Sequence, residues 1–157
     1  LQTKLGELAK RLLHAKIDPS TLILELTEHT FSNHRERVYG AVEQLQKHGF
    51  GTAMDDFGTG CTAISLLAEL PVDWIKLDRS MLLASQKSKR GLDFLCRMIE
   101  LLKSMEYTVV CEGVETAEEA EMLRHIGCDL AQGYFFDSPM PVSDFEVCFD
   151  AQFTKAQ

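Results

Sequence analysis

No apolar run in these 157 residues approaches the ~18 that a membrane-spanning helix needs, so the sequence predicts a segment without membrane contact. Its first stretch, LQTKLGELAKRLLHAK, is patterned as an amphipathic helix and lacks the unbroken apolar core of a signal peptide. An excess of positive charge is missing too. With 16 Lys and Arg against 24 Asp and Glu, net charge is −8, which argues against a surface that tracks duplex nucleic acid. A small phosphate-bearing ligand stays open, because bound divalent cations invert the local sign. The five cysteines, Cys61, Cys96, Cys111, Cys128 and Cys148, form no CxxC or Cys/His zinc spacing. They read as reduced, mostly buried residues of a cytoplasmic chain. No GxGxxG turn follows any apolar run, and no linker or low-complexity stretch divides the sequence.

What is present is 45% hydrophobic and 25% charged, the composition of one soluble domain with a sizeable core. Five β-rich runs stand out: 22–27, 51–56, 72–78, 108–112 and 129–136. Several are nearly continuous in apolar residues, as strands covered on both faces are. Helical patterns lie between them. Residues 33–49 place Val38, Val42 and Leu45 at helical spacing, and 88–105 align Leu92, Leu95, Ile99 and Leu102. Residues 116–127 open on Thr116 with Glu119 three further on, a capping box, and stop at Gly127. Alternating β and α elements predict an α/β fold with a parallel sheet. An open doubly wound sheet and a (β/α)8 barrel both fit, and the missing dinucleotide turn weakens the first.

Polar residues collect where these strands end. Glu25 and Glu28 close the first, Asp55 and Asp56 the second, Lys76 and Asp78 the third, Glu112 and Glu115 the fourth, and Gln132 falls in the fifth. In parallel α/β folds that edge is where sites are built. One such acid is ordinarily a helix cap or a solvated loop residue; five strands in succession are harder to explain so. Carboxylates with one lysine and one glutamine suit hard divalent cations such as Mg2+ or Mn2+, which prefer oxygen ligands. Two such ions can clamp a phosphoryl group and activate water. Glycoside cleavage also uses paired acids, but the lysine and the number of acids favour phosphoryl transfer. Histidines 14, 29, 34, 48 and 125 avoid the strand ends and read as surface residues.

The segments ELTE, DDFGTG, LPVDWIKLDRSML, CEGVET and AQGYFFDSPMP, in this order, closely resemble the EAL-domain family of bacterial phosphodiesterases, from about residue 3 to about residue 150. The resemblance implies a TIM-type (β/α)8 barrel, here incomplete with about five parallel strands. It implies metal-dependent hydrolysis of cyclic di-GMP to linear pGpG by two-metal water activation. An inactive cyclic di-GMP receptor or protein-interaction module is the alternative. By position, Glu25, Asp55 and Asp56 look like metal ligands for Mg2+ or Mn2+. Lys76 would polarise the attacking water or a phosphate oxygen. Glu112 would be the general base or a further ligand, with Gln132 supporting the water. Glu115 and Asp78 would lie toward the substrate, Asp78 behind the contacting residues, and Glu28 would anchor the loop after DDFG.

Two departures from the family pattern bear on this. Cys61-Thr62-Ala63 replaces the usual aromatic-Ser-Ser after FGTG. The Glu-Ala-Leu strand and a later Asn-bearing strand belong ahead of Leu1, so residues 1–157 read as a partial EAL domain of a longer chain. Sensor or GGDEF-type domains are expected beside it, and so is a homodimer, since open sheet edges invite pairing. The whole would be cytoplasmic, or the cytoplasmic part of a membrane-anchored signalling protein. On its own the piece is expected to be destabilised and to lack full activity.

Asp55 and Asp56 pose a local problem, since neighbours in a strand point to opposite faces. The expected solution is a turn after Asp55, freed by Gly58 and Gly60, that swings the second carboxylate back. Trp74, Tyr134, Phe135 and Phe136 are expected to pack in the core.

Overall fold

The structure, a computed structural model, describes residues 7, 10–12, 14–33, 35–60 and 64–154. Its strands are β1 (Ile23–Thr27), β2 (Gly51–Phe57), β3 (Trp74–Leu77), β4 (Thr108–Cys111) and β5 (Leu130–Ala131). They form one five-stranded sheet in sequential order, and every pairing is parallel. Parallel neighbours require crossovers. Helices α1 (Glu28–Asn33) and α2 (Arg35–Lys47) join β1 to β2, and α3 (Arg79–Lys87) and α4 (Lys89–Ser104) join β3 to β4. Helix α5 (Ala117–His125) joins β4 to β5, α6 (Val142–Thr154) follows, and a 3-10 helix (Ile64–Glu69) lies before β3. The amphipathic pattern of residues 1–16 falls mostly outside the described residues.

Strand alternation sorts the side chains. Met54, Ile75, Leu77, Val109 and Cys111 are at most 1% exposed. They share one apolar cluster with Val38 and Val42 of α2, Leu82 of α3, Leu95, Ile99 and Leu102 of α4, and Leu123 of α5. The predicted helical stripes are the faces that meet the sheet; each full burial contributes roughly 1.5–3 kcal/mol. Glu25, Asp55 and Lys76 alternate onto the other face, joined by Glu112 just beyond β4. Below them, two other acids lace the strand starts together. Asp73 Oδ2 accepts from the Thr52 N–H at 2.9 Å, and Asp129 Oδ2 from the Val109 N–H at 3.0 Å.

Several expectations need correction. The fifth strand is Leu130–Ala131, not 129–136. The chain instead wraps round the Val114 backbone, whose N–H donates to Gln132 O and whose carbonyl accepts from the Phe135 N–H. Gly133 lies so close that a Cβ would stand 2.1 Å from Val114 O. Tyr134, Phe135 and Phe136 sit in this turn and are 68%, 42% and 53% exposed. Trp74 is half-buried. RSMLLASQK is a helix that the apolar periodicity does not announce, because Asp78 caps it and only Met81, Leu82 and Ser85 are buried. Ser88, in extended backbone, then separates α3 from α4 and caps the latter through the Gly91 N–H. Of the four described cysteines, all free, Cys111 is buried, Cys96 and Cys128 are half-buried and Cys148 is exposed. Burial pushes the Cys111 thiol up to about 12. Cys61, Thr62, Ala63 and His34 lie outside the described residues.

Candidate functional site

Met54 pairs with Ile75 and Phe57 with Leu77, so Asp55 and Asp56 together stand opposite the single residue Lys76. This is a β-bulge, which adds one residue to one strand. Asp56 takes a φ of 56°, a left-handed conformation that aspartate tolerates better than most residues. The extra residue returns Phe57 to the buried face of Met54 and leaves both aspartates directed to the other. The break in alternation therefore lies inside the strand, which runs on to Phe57, and not in the glycine turn after it. Its backbone cost, of order 1–3 kcal/mol, is no more than one buried leucine offsets. Glu28, buried at the start of α1, holds the following turn, its Oε2 accepting from the N–H groups of Gly58 and Gly60 at 3.1 Å each.

Lys76 is the hub of the polar face. Its Nζ lies 2.8 Å from Glu25 Oε1, 2.9 Å from Asp55 Oδ1 and 2.8 Å from Glu112 Oε1, with only 9% of the lysine side chain exposed. Burial alone would favour the neutral amine, but the three carboxylates outweigh it and hold Lys76 firmly protonated. Glu112 is also shifted upward: burial raises it above the ordinary glutamate value, and Lys76 offsets part of that rise.

One lysine does not satisfy these acids. Asp55 Oδ1 is shut off from solvent and meets Lys76 as an ion pair without an aligned hydrogen bond. Asp55, Asp56 and Glu112 each place a carboxylate oxygen within 4.8 Å of the others. Converging, incompletely partnered oxygens of this kind fit a hard divalent cation, Mg2+ or Mn2+. Glu112 joins the two aspartates in this group, and Glu25, like Asp55 and Glu112, pairs with Lys76.

A cavity of about 1000 Å3 adjoins the group and is lined by Glu112, Glu115, Gln132, Asp78, Arg79 and Tyr134, among others. Asp78 is engaged as the α3 cap, its Oδ1 accepting from the Ser80 N–H at 2.9 Å. Glu115 pairs with Arg79 at 2.6 Å, and Arg79 also donates to the Gly113 carbonyl. Gln132 is exposed at the cavity wall and is tied to Val114 through its backbone carbonyl. Arg79 is the residue the sequence reading lacks. Its partners lie 34 and 36 positions further along the chain, and the helix it opens is not announced by the apolar periodicity.

The family model described as "EAL domain" matches residues 3–139. The chain is 41% identical over 128 residues to "Oxygen sensor protein DosP" of Escherichia coli (strain K12), covering 82% of this chain and 16% of that protein. Among solved structures it resembles "PaMucR Phosphodiesterase, c-di-GMP complex", with a TM-score of 0.82 and 31% identity over 90% of this chain and 57% of that one. It also resembles "Klebsiella pneumoniae BlrP1 pH 9.0 manganese/cy-diGMP complex", with a TM-score of 0.79 and 31% identity over 86% and 34% of the two chains. This chain spans only part of each. The expected barrel-type α/β fold holds, and the chain belongs to the EAL domain family.

Proposed function

We propose that this chain forms the catalytic part of a phosphodiesterase that hydrolyses cyclic di-GMP to linear pGpG with two divalent cations. The observation that carries the reading is the convergence of Asp55, Asp56 and Glu112 beside Lys76. The solved relatives in complex with cyclic di-GMP supply the substrate class. Asp55, Asp56 and Glu112 would hold Mg2+ or Mn2+, with Glu25 completing the acidic wall. When bound, the cations supply Lewis acidity toward phosphoryl oxygens and activate water.

The remaining work falls to the chain itself. Lys76, fixed among its carboxylates, offers a charged donor to a phosphoryl oxygen that gains negative charge as the ester bond breaks. Where Glu112 does not itself hold a cation, it stands as the general base that takes a proton from the attacking water. Gln132 and Glu115 flank the cavity that receives the nucleotide, and Glu28 keeps the turn after Asp56 in place. Accompanying sensor or GGDEF-type domains, a cytoplasmic setting and pairing of two copies belong to the same reading. No helix among the described residues is long and apolar enough to cross a membrane.

Chromatographic assay of the intact protein with cyclic di-GMP tests the reading. Linear pGpG should accumulate with Mg2+ or Mn2+ and cease with a chelator. Tight binding without turnover would assign the domain to a receptor instead.

A further inference from the structure

We infer that Arg79 is a positioning residue, one that fixes Glu112 against the two aspartates by clamping the backbone just after it. The inference rests on the metal-site reading above.

Glu112 stands at the end of β4, and the chain turns at once through Gly113, whose φ is 71°. Arg79, from the end of β3, crosses to this turn. It donates to the Gly113 carbonyl and pairs with Glu115 at 2.6 Å. Its side chain fills the space a Cβ on Gly113 would take, the nearest atom being 2.7 Å away. The far side of the turn is pinned independently. Glu119 Oε2 accepts from the Glu115 N–H at 2.6 Å, and the Val114 N–H donates to Gln132 O. Arg79 thus ties the turn after Glu112 to the exit of β3, beside the Lys76–Glu112 ion pair that spans the same two strand ends. Both ends of the Glu112–Lys76 ion pair are set from that strand end: the Glu112 N–H donates to the Leu77 carbonyl at 3.0 Å, and Arg79 holds the next peptide, so the clamp acts on the direction the chain takes after Glu112.

A planar guanidinium can grip a carbonyl and a carboxylate together, whereas an ammonium is a single point charge. Lysine at position 79 can therefore keep the charge without keeping the clamp. Groups that orient metal ligands typically change metal affinity or activity by about 10–100-fold when lost.

The test uses Arg79→Lys and Arg79→Ala in the intact protein, with Mn2+ as the probe. Both variants should melt close to the wild type, bind Mn2+ about 10–100-fold more weakly and lose a similar factor in kcat, with KM for cyclic di-GMP little changed. A risen KM with unchanged kcat and Mn2+ affinity would overturn the inference and make Arg79 a substrate contact. So would wild-type values throughout. Crystal structures of the metal-free variants decide the placement directly: the Glu112 carboxylate should leave the Asp55–Asp56 group, and an unmoved Glu112 refutes the clamp. A wild type that neither binds Mn2+ nor turns over would refute the metal site, and those structures would still decide the role of Arg79.

Discussion

Asp55 and Asp56 are consecutive residues of one strand, yet both carboxylates reach the same group of oxygens with Glu112, because a bulge sets the pair opposite Lys76 alone. The left-handed backbone of Asp56 is what makes this possible. Asparagine also tolerates that conformation, so Asp56→Asn should leave the urea midpoint almost unchanged while weakening Mn2+ binding at least ~10-fold. Asp56→Val should lower stability by about 1–3 kcal/mol. Equal stability of the two variants would show that the bulge does not persist in solution.

Lys76 neutralises part of the charge on Glu25, Asp55 and Glu112. Removing one partner of such a group leaves the others uncompensated, although the carboxylates keep some solvent. Lys76→Met should therefore cost about 2 kcal/mol without divalent cations. Added Mn2+ should recover much of this, since a ligand of the folded state stabilises it. Urea denaturation with and without Mn2+ checks both parts; a variant as stable as the wild type without metal would contradict them.

Asp129 supplies a pH dependence of known sign. Burial alone would raise its carboxyl, but Lys103 at 2.6 Å and the Val109 N–H outweigh that and hold it below the ordinary aspartate value. A depressed folded-state value stabilises the fold above the unfolded value, near 3.9, and that contribution fades as pH falls through the folded one. Asp129→Asn should be less stable than the wild type at neutral pH by about 1 kcal/mol. The gap should narrow in urea titrations near pH 3, and a constant gap would contradict the assignment.

Gly60 and Glu28 are coupled by space as well as by hydrogen bonding. A Cβ at Gly60 would stand 2.5 Å from Glu28 Oε1, while the Gly60 N–H donates to Oε2. Gly60→Ala should cost about 1–3 kcal/mol, and Glu28→Ala a similar amount through the unpaired N–H groups. Because the alanine methyl has no carboxylate to strike once Glu28 is gone, the double variant should lose less than the sum. Strict additivity in a double-mutant cycle would refute the contact.

Much of this was legible in the sequence because it depends on local periodicity. Val42, Leu95, Ile99 and Leu102 are buried as their spacing predicts, and Thr116 with Glu119 forms the expected capping box. The acids at the strand ends were visible for the same reason. What escaped depends on backbone geometry or on contacts between distant segments. The bulge shows only in the pairing of β2 with β3, and nothing between 52 and 60 distinguishes it from a turn. Tyr134 to Phe136 look like core residues until Gly133 is seen closing on Val114. Arg79 meets partners 34 and 36 positions further on, at Gly113 and Glu115, and no local pattern encodes that meeting.

The most direct measurement is a crystal structure of the intact protein soaked in Mn2+ and read by anomalous scattering. Manganese density bounded by the carboxylates of Asp55, Asp56 and Glu112 is the expected result. Density absent there, with cyclic di-GMP turnover intact, would contradict it.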